Sequence, residues 1–242
     1  MDFQLEVIAF TIDACIAAQQ AGVHRIELCD NPGEGGTTPS YGFIQAARKN
    51  VALELYPIIR PRGGDFLYTD AEFEIMKTDV AACKELGCDG VVIGMLNADG
   101  TVDKIRSSQL VDMAYPMGVT FHRAFDRVND ASQALEDLIS IGCERVLTSG
   151  MVPNALDGAE NIAALVRQAN GRIIIMPGSG VRSENILELA QITGASEFHT
   201  SARMFVESNM QFNSAGMKEK LQSVALDVAE VKKIMDILKN AG

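Results

Sequence analysis

Four stretches of the chain repeat one pattern, in which a helix end passes through a glycine into a short apolar run. They are Ala21-Gly22-Val23-His24-Arg25-Ile26-Glu27-Leu28, Leu86-Gly87-Cys88-Asp89-Gly90-Val91-Val92-Ile93, Ile141-Gly142-Cys143-Glu144-Arg145-Val146-Leu147-Thr148 and Thr193-Gly194-Ala195-Ser196-Glu197-Phe198-His199-Thr200. The glycine suits the left-handed residue after a helix C-terminus, and the run that follows has the length of a buried parallel strand. Between these units lie four more apolar runs, Phe3 to Ile8, Val51 to Ile59, Val119 to Phe125 and Arg172 to Met176, for eight strands in all. Helical spacing fills the gaps, as in Ile12, Cys15, Ile16 and Gln19, in Phe73, Met76, Val80 and Cys83, and in Leu135, Leu138 and Ile139. Eight βα units in 242 residues predict an α/β fold, a single TIM-type (β/α)8 barrel spanning residues 1–242. The tail from Ser214 to Asn240 places Leu221, Val224, Val228, Val231, Met235 and Leu238 on one face and predicts the closing helix.

The polar positions inside the strands change this picture. Side chains alternate between the two faces of a strand, so Glu6, Arg25, Glu27, Cys29, Thr120, His122, Glu197, His199 and Ser201 are expected to face the barrel interior. Barrel interiors are normally layers of branched apolar side chains, and Glu6, Glu27, His122 and His199 together need a reason. One reason is an internally paired ionic network, with Arg25 and Arg60 as counter-charges. The other is a ligand cavity at the carboxyl end of the strands, where barrels of this kind carry their chemistry. Arg60 is expected to converge with Glu6, Glu27, His122 and His199 there.

Three loops leave the strands at that end with composition suited to binding. Asp30 to Ser40 carries Gly33, Gly35 and Gly36 before Pro39, which can open a helix with Thr38 as its cap, and the loop can fold over the mouth. Arg60-Pro61-Arg62-Gly63-Gly64-Asp65 holds two arginines in a stiff frame, and Arg60 and Arg62 are candidates for two-pronged carboxylate or phosphate binding. Gly178-Ser179-Gly180 and the loop containing Ser201 follow the seventh and eighth strands, where backbone N–H groups often cradle phosphate.

A net charge of -11 disfavours nucleic acid and anionic membranes as partners. No apolar run approaches membrane-spanning length and no secretory pattern opens the sequence, so a cytoplasmic protein is expected. Cys15, Cys29, Cys83, Cys88 and Cys143 are odd in number and widely spaced, which reads as reduced thiols. Cys83 and Cys88 read as small hydrophobes at a helix-to-strand junction.

The runs Arg25-Ile26-Glu27-Leu28-Cys29, Gly35-Gly36-Thr37-Thr38-Pro39-Ser40, Ile59-Arg60-Pro61-Arg62-Gly63-Gly64-Asp65-Phe66, Thr120-Phe121-His122-Arg123-Ala124-Phe125-Asp126, Leu147-Thr148-Ser149-Gly150 and Met176-Pro177-Gly178-Ser179-Gly180 resemble the copper homeostasis protein CutC family. Thr37 stands where that family usually has leucine, and Ser179 where it often has glycine. The resemblance implies a cytoplasmic TIM-type barrel, a homo-oligomer, with copper as its ligand. Two functions are open, the first implied by the resemblance and the second favoured by the residues alone. In the first, Cys29 and His122 bind Cu(I) at the mouth. In the second, the protein is an enzyme on a small phosphorylated or carboxylated metabolite: Arg60 and Arg62 hold the anion, Gly178, Ser179, Gly180 and Ser201 hold a phosphate, and Glu27 with His122 transfers protons.

Overall fold

A computed structural model describes residues 3–214, 216–218 and 220–241. Eight parallel strands alternate with helices: β1 Gln4–Ala9, α1 Ile12–Ala21, β2 Arg25–Leu28, α2 Tyr41–Asn50, β3 Glu54–Pro57, α3 Asp70–Glu85, β4 Gly90–Ile93, α4 Lys104–Ala114, β5 Gly118–Phe121, α5 Ala131–Ser140, β6 Arg145–Thr148, α6 Ala159–Ala169, β7 Ile174–Pro177, α7 Ile186–Thr193 and β8 Glu197–Thr200. Strands β3-β2-β1-β8 form one hydrogen-bonded set and β4-β5-β6-β7 the other. The sets meet at β3 and β4 through the parallel bridge Ile58–Val92, with Ile59 N donating to Val92 O at 2.7 Å, and β7 packs beside β8. The neighbours run once round a (β/α)8 barrel.

The repeated glycine unit is a helix stop. Gly22, Gly87 and Gly142 adopt φ of 80°, 74° and 85°, a region where only glycine avoids a steric penalty. Each lets the following residue bond back to the last helical turn: Val23 N to Ala18 O, Cys88 N to Cys83 O at 3.0 Å, and Cys143 N to Leu138 O at 3.1 Å. In this motif the two ends of that bond also make an apolar contact. Cys83 with Cys88 therefore stands where Leu138 with Cys143 and Ala18 with Val23 stand, and all of these residues are buried.

Alternation along the strands, with the even- and odd-numbered strands contributing in turn, stacks the interior in layers of four. The layer nearest the amino ends is Arg25, Gly90, Arg145 and Glu197; above it come Glu6, Tyr56, Thr120 and Met176, then Glu27, Val92, Leu147 and His199, then Ile8, Ile58, His122 and Gly178. Gly90 has no substitute here, since a Cβ would collide with the Tyr56 ring. The outward-facing Leu5, Val7, Ile26, Leu28, Val119, Phe121, Val146 and Phe198 are buried against the helices in the main apolar core.

Three expectations are corrected. The apolar run after Gly118 ends as a strand at Phe121, and Arg123–Arg127 is a 3-10 turn capped by His122, whose Nδ1 accepts from Ala124 N at 3.1 Å. Helix α2 starts at Tyr41 with Ser40, not Thr38, as its cap; Thr38 instead joins the end of β3, its Oγ1 accepting from Arg60 N at 2.8 Å. The closing helix is α8, Val228–Ala241, started by Asp227, whose Oδ1 accepts from Glu230 N at 3.0 Å. Leu221 and Val224 lie outside it, because Ser223–Leu226 (β10) pairs antiparallel with Arg203–Val206 (β9) as a two-stranded ribbon. Ala215 and Glu219, inside the expected helix, fall outside the described residues.

Candidate functional site

A cavity of about 820 Å³ opens at the carboxyl ends of the strands. Its inner wall is drawn from the upper two layers, with Glu27, Leu147, His199, Ile8, Ile58 and His122 lining it, and Arg60, Phe66, Arg123 and Arg127 line it as well. The expected convergence thus has Glu27, Arg60, His122 and His199 lining one cavity, with Glu6 one layer beneath.

Below the cavity a buried chain of ion pairs runs down the barrel axis. Glu6 Oε1 is 2.7 Å from His199 Nδ1, and Glu6 Oε2 is 2.5 Å from Arg25 Nε. Arg25 Nη2 reaches Glu197 Oε2 at 2.6 Å, and Glu197 Oε2 receives Arg145 Nε at 2.7 Å. Two sequence expectations, an ionic network and a ligand cavity, are therefore both present at different depths. Arg25 serves as a counter-charge as expected, whereas the second counter-charge is Arg145 rather than Arg60. Arg145 occupies the same place as Arg25 does, the third residue after the glycine in Gly142-Cys143-Glu144-Arg145 and in Gly22-Val23-His24-Arg25, so the repeat itself carries the signal.

This chain sets the charge of the groups above it. Burial would raise the Glu6 carboxyl, but Arg25 and His199 outweigh it and hold the group at about 2, so Glu6 stays ionised. Burial likewise disfavours a charged His199, yet the hydrogen bond to Glu6 and the nearby Glu27 keep its proton above the ordinary histidine range. Glu27 meets no arginine at bonding distance, and the more distant His199 only partly offsets its burial. Its carboxyl makes no hydrogen bond among the described residues, His199 Nε2 stands 3.7 Å from Oε2, and burial together with the Glu6 charge pushes it up to about 7. A carboxylic acid that exchanges its proton near neutral pH suits general acid–base work.

His122 differs from His199 in kind. Burial and the Arg60 charge lower it to about 3, so it stays neutral. Because Nδ1 accepts from Ala124 N, the ring proton sits on Nε2, and Nε2 is buried with no partner among the described residues. The ring is gripped by Phe66 at 5.0 Å between centroids, and Gly94 leaves no room to spare, since a Cβ there would collide with Cε1 and Nδ1.

Arg60 is a loop staple rather than an anion fork. Nη1 donates to Glu34 O at 2.7 Å and Gly36 O at 2.8 Å, and Nη2 to Gly64 O at 2.9 Å, which ties the loop after β2 to the loop after β3. The Glu34 carboxylate accepts from Gly64 N at 3.2 Å, and a Cβ at Gly63 would collide with it, so the glycine pair is a docking seat. Arg62 is a second correction: it points away from the cavity, spent on Glu72 at 2.6 Å, Asp65 at 2.9 Å and the Leu67 carbonyl at 2.7 Å. Arg123 and Arg127 also line the cavity, and no role was expected of either from the sequence. Arg123 is anchored by Asp126 at 2.8 Å, itself fixed by Thr148 and the Ser149 and Met151 amides, and Arg127 has no ion pair among the described residues.

Gly178, Ser179, Gly180 and Ser201 do not line this cavity. Ser179 Oγ donates to Pro153 O at 2.7 Å, and just beyond the turn Ser183 N donates to the protein's own Glu230 carboxylate at 2.7 Å. An internal anion already serves that helix approach.

Cys29 does face the interior, but it packs with Ile8, Tyr56, Ile58 and Val92 and is covered by Gly36, where a Cβ would lie 3.1 Å from the sulfur. Burial, with Glu27 and Glu6 nearby, pushes the thiol well above its ordinary value. A protonated, covered thiol is a poor fit for a Cu(I) thiolate. Among the described residues, Glu6, Glu27 and His199 bring one donor atom each within 4.8 Å of one another and could hold a metal ion. They are oxygen and nitrogen donors, and the Arg25 guanidinium against Glu6 Oε2 opposes a second cation, so this set does not fit copper(I) either.

A sequence profile described as the CutC family matches residues 3–204. A family protein CutC of Chromobacterium violaceum is 54% identical over 217 residues, covering 90% of this chain and 88% of that protein. The human copper homeostasis protein cutC homolog is 43% identical over 236 residues, covering 96% and 86% respectively. Among solved structures, the putative copper homeostasis protein CutC of Streptococcus agalactiae superposes with a TM-score of 0.79 at 34% identity, over 82% of this chain and 98% of that one. The chain belongs to the CutC family, a TIM-barrel family named for copper homeostasis.

Proposed function

We propose that the cavity is an enzyme site in which Glu27 carries a proton to and from a small anionic metabolite bearing a carbonyl or hydroxyl group. The observation that carries this reading is the meeting in one cavity of the buried Glu27 carboxyl, which makes no hydrogen bond among the described residues, with a His122 whose Nε2 has no partner among them either; burial pushes the Glu27 carboxyl up to about 7. Glu27 would take the proton, His199 would steady the resulting carboxylate, and the His122 N–H would bond the oxygen on which charge develops. Arg123 and Arg127 at the rim would meet the anionic end of the metabolite. Five unpaired cysteines support a cytoplasmic location.

Copper binding at Cys29 and His122 is the second reading, supported by the names of the human and mouse relatives. The buried, protonated state of Cys29 weighs against it.

Proton abstraction leaves a trace without the full reaction being known. The protein is incubated in D2O with a panel of keto acids, hydroxy acids and phosphorylated ketoses, and proton loss is followed by NMR. Catalysed exchange on at least one compound, abolished by Glu27→Gln, is expected. Absence of exchange across the panel, together with stoichiometric Cu(I) binding lost in Cys29→Ser, would favour the copper reading.

A further inference from the structure

The loops after β5 and β6 are built around one buried carboxylate. Asp126 accepts from Thr148 Oγ1 at 2.5 Å, from Ser149 N at 3.1 Å, from Met151 N at 3.2 Å and from Arg123 Nε at 2.8 Å. Gly150 and Met151 adopt φ of 76° and 68°, and this left-handed turn brings the amides of Ser149 and Met151 onto the same Asp126 oxygen. A non-glycine residue is held in that region where the surrounding structure uses the strain, often to position a functional group. The group positioned here is Arg123. Its Nη2 donates to Ser149 Oγ at 2.8 Å, whereas Nη1 makes no hydrogen bond among the described residues. One edge of the guanidinium is clamped and its Nη1 end is left for a ligand, on a side chain that lines the cavity. Arg127 ends the same 3-10 turn and lines the cavity too, and its side chain bonds no group among the described residues.

We propose that Arg123 and Arg127 make the cavity a carboxylate site, whose substrate is a keto or hydroxy monocarboxylic acid with an apolar body and not a phosphate ester. The proposal rests on the reading of the cavity as an enzyme site and names its substrate class. Two parallel N–H groups at the end of a clamped fork match the two coplanar oxygens of a carboxylate. A phosphate ester calls for more donors, and barrels frequently supply them from backbone amides in the loops after the seventh and eighth strands. Here the turn at Gly178, Ser179 and Gly180 does not line the cavity, and the nearby Ser183 amide and hydroxyl are both taken by Glu230. Of the glycines that do line it, the Gly35, Gly64 and Gly100 amides are spent on Pro32 O, the Glu34 carboxylate and Asn97 O. Ile8, Ile58, Leu96 and Leu147 with the Phe66 ring supply an apolar wall for the body of the acid. A net charge of -11 also repels a dianion more than a monoanion.

The test is isothermal titration calorimetry of the full chain with phenylpyruvate, ketoisocaproate, the matching hydroxy acids, the methyl ester of each acid, and glycerol phosphate. At least one acid is expected to bind about tenfold or more tighter than its ester and than glycerol phosphate, and Arg123→Gln/Arg127→Gln should remove that preference with the circular dichroism unchanged. Should the pair unfold the protein, Arg127→Gln alone, on an exposed side chain, replaces it and should weaken the acid but not the ester. Glycerol phosphate bound as tightly as the acids, no binding of any acid, or an acid preference that survives in the folded variant overturns the proposal. Binding needs no turnover, so the two readings fail separately. An acid that binds without proton exchange counts against Glu27 alone, whereas exchange on a phosphorylated ketose and on no acid counts against the carboxylate site alone.

Discussion

Glu6 Oε1 and His199 Nδ1 face each other at 2.7 Å across adjacent strands, while the other Glu6 oxygen is held by Arg25. The consequence is a fixed negative charge directly beneath the cavity floor. Replacing it by Glu6→Gln leaves Arg25 with one fewer buried partner and should cost about 3–5 kcal/mol, the usual result of breaking a buried pair. Because the Glu6 carboxyl lies at about 2 in the fold against 4.5 unfolded, its contribution is present above pH 4.5 and lost as pH falls through about 2. Chemical denaturation of both proteins at pH 7 and pH 3 measures this, with the difference shrinking at the lower pH. The variant should also show a lowered His199 titration by NMR.

Glu27 has the opposite linkage. Its folded-state value of about 7 exceeds 4.5, so the fold favours the protonated acid: the stability is present below pH 4.5 and lost as pH rises through 7. Glu27→Gln cannot ionise and should be more stable than wild type above pH 8 by about 3 kcal/mol, with no gain below pH 4.5. Thermal unfolding of the two proteins across pH 4 to 9 reads this directly.

Gly94 is the backbone against which His122 rests. Gly94→Ala must push the imidazole aside, and such overpacking typically costs about 1–3 kcal/mol. The expected outcome is a folded protein with reduced melting temperature and with proton-exchange activity lost, measured together on one preparation.

Arg60→Ala unties the two loops at the mouth. Loss of its charged bonds to Glu34, Gly36 and Gly64 carbonyls should cost about 2–3 kcal/mol, and hydrogen exchange at residues 34 to 36 and 63 to 65 should accelerate while the barrel strands stay protected. An anion fork would instead show its main effect on phosphate affinity.

Much of this was legible in the chain. The glycine units give four of the eight strands because a left-handed stop is a local event, the apolar runs between them give the other four, and inward placement of Glu6, Glu27, His122 and His199 follows from alternation alone. What alternation does not report is how a long side chain spends its donors. Arg60 and Arg62 look alike in Arg60-Pro61-Arg62, yet one staples carbonyls and the other turns to Glu72, a choice set by loops distant in sequence. The ribbon after β8 is hidden for a similar reason: apolar spacing through Leu221 and Val224 fits a helix, and only the pairing of Ser223–Leu226 with Arg203–Val206 decides for a strand. Arg145 was available from the repeat, since its place matches that of Arg25.

The central claim is that Glu27 holds a proton near neutral pH at the floor of the cavity. Carbon-13 NMR of the side-chain carboxyl, assigned by comparison with Glu27→Gln, follows its titration from pH 3 to 9. A midpoint near 7, moving when Glu6 is replaced by Gln, is the result this account predicts; a midpoint at or below 4.5 would contradict it.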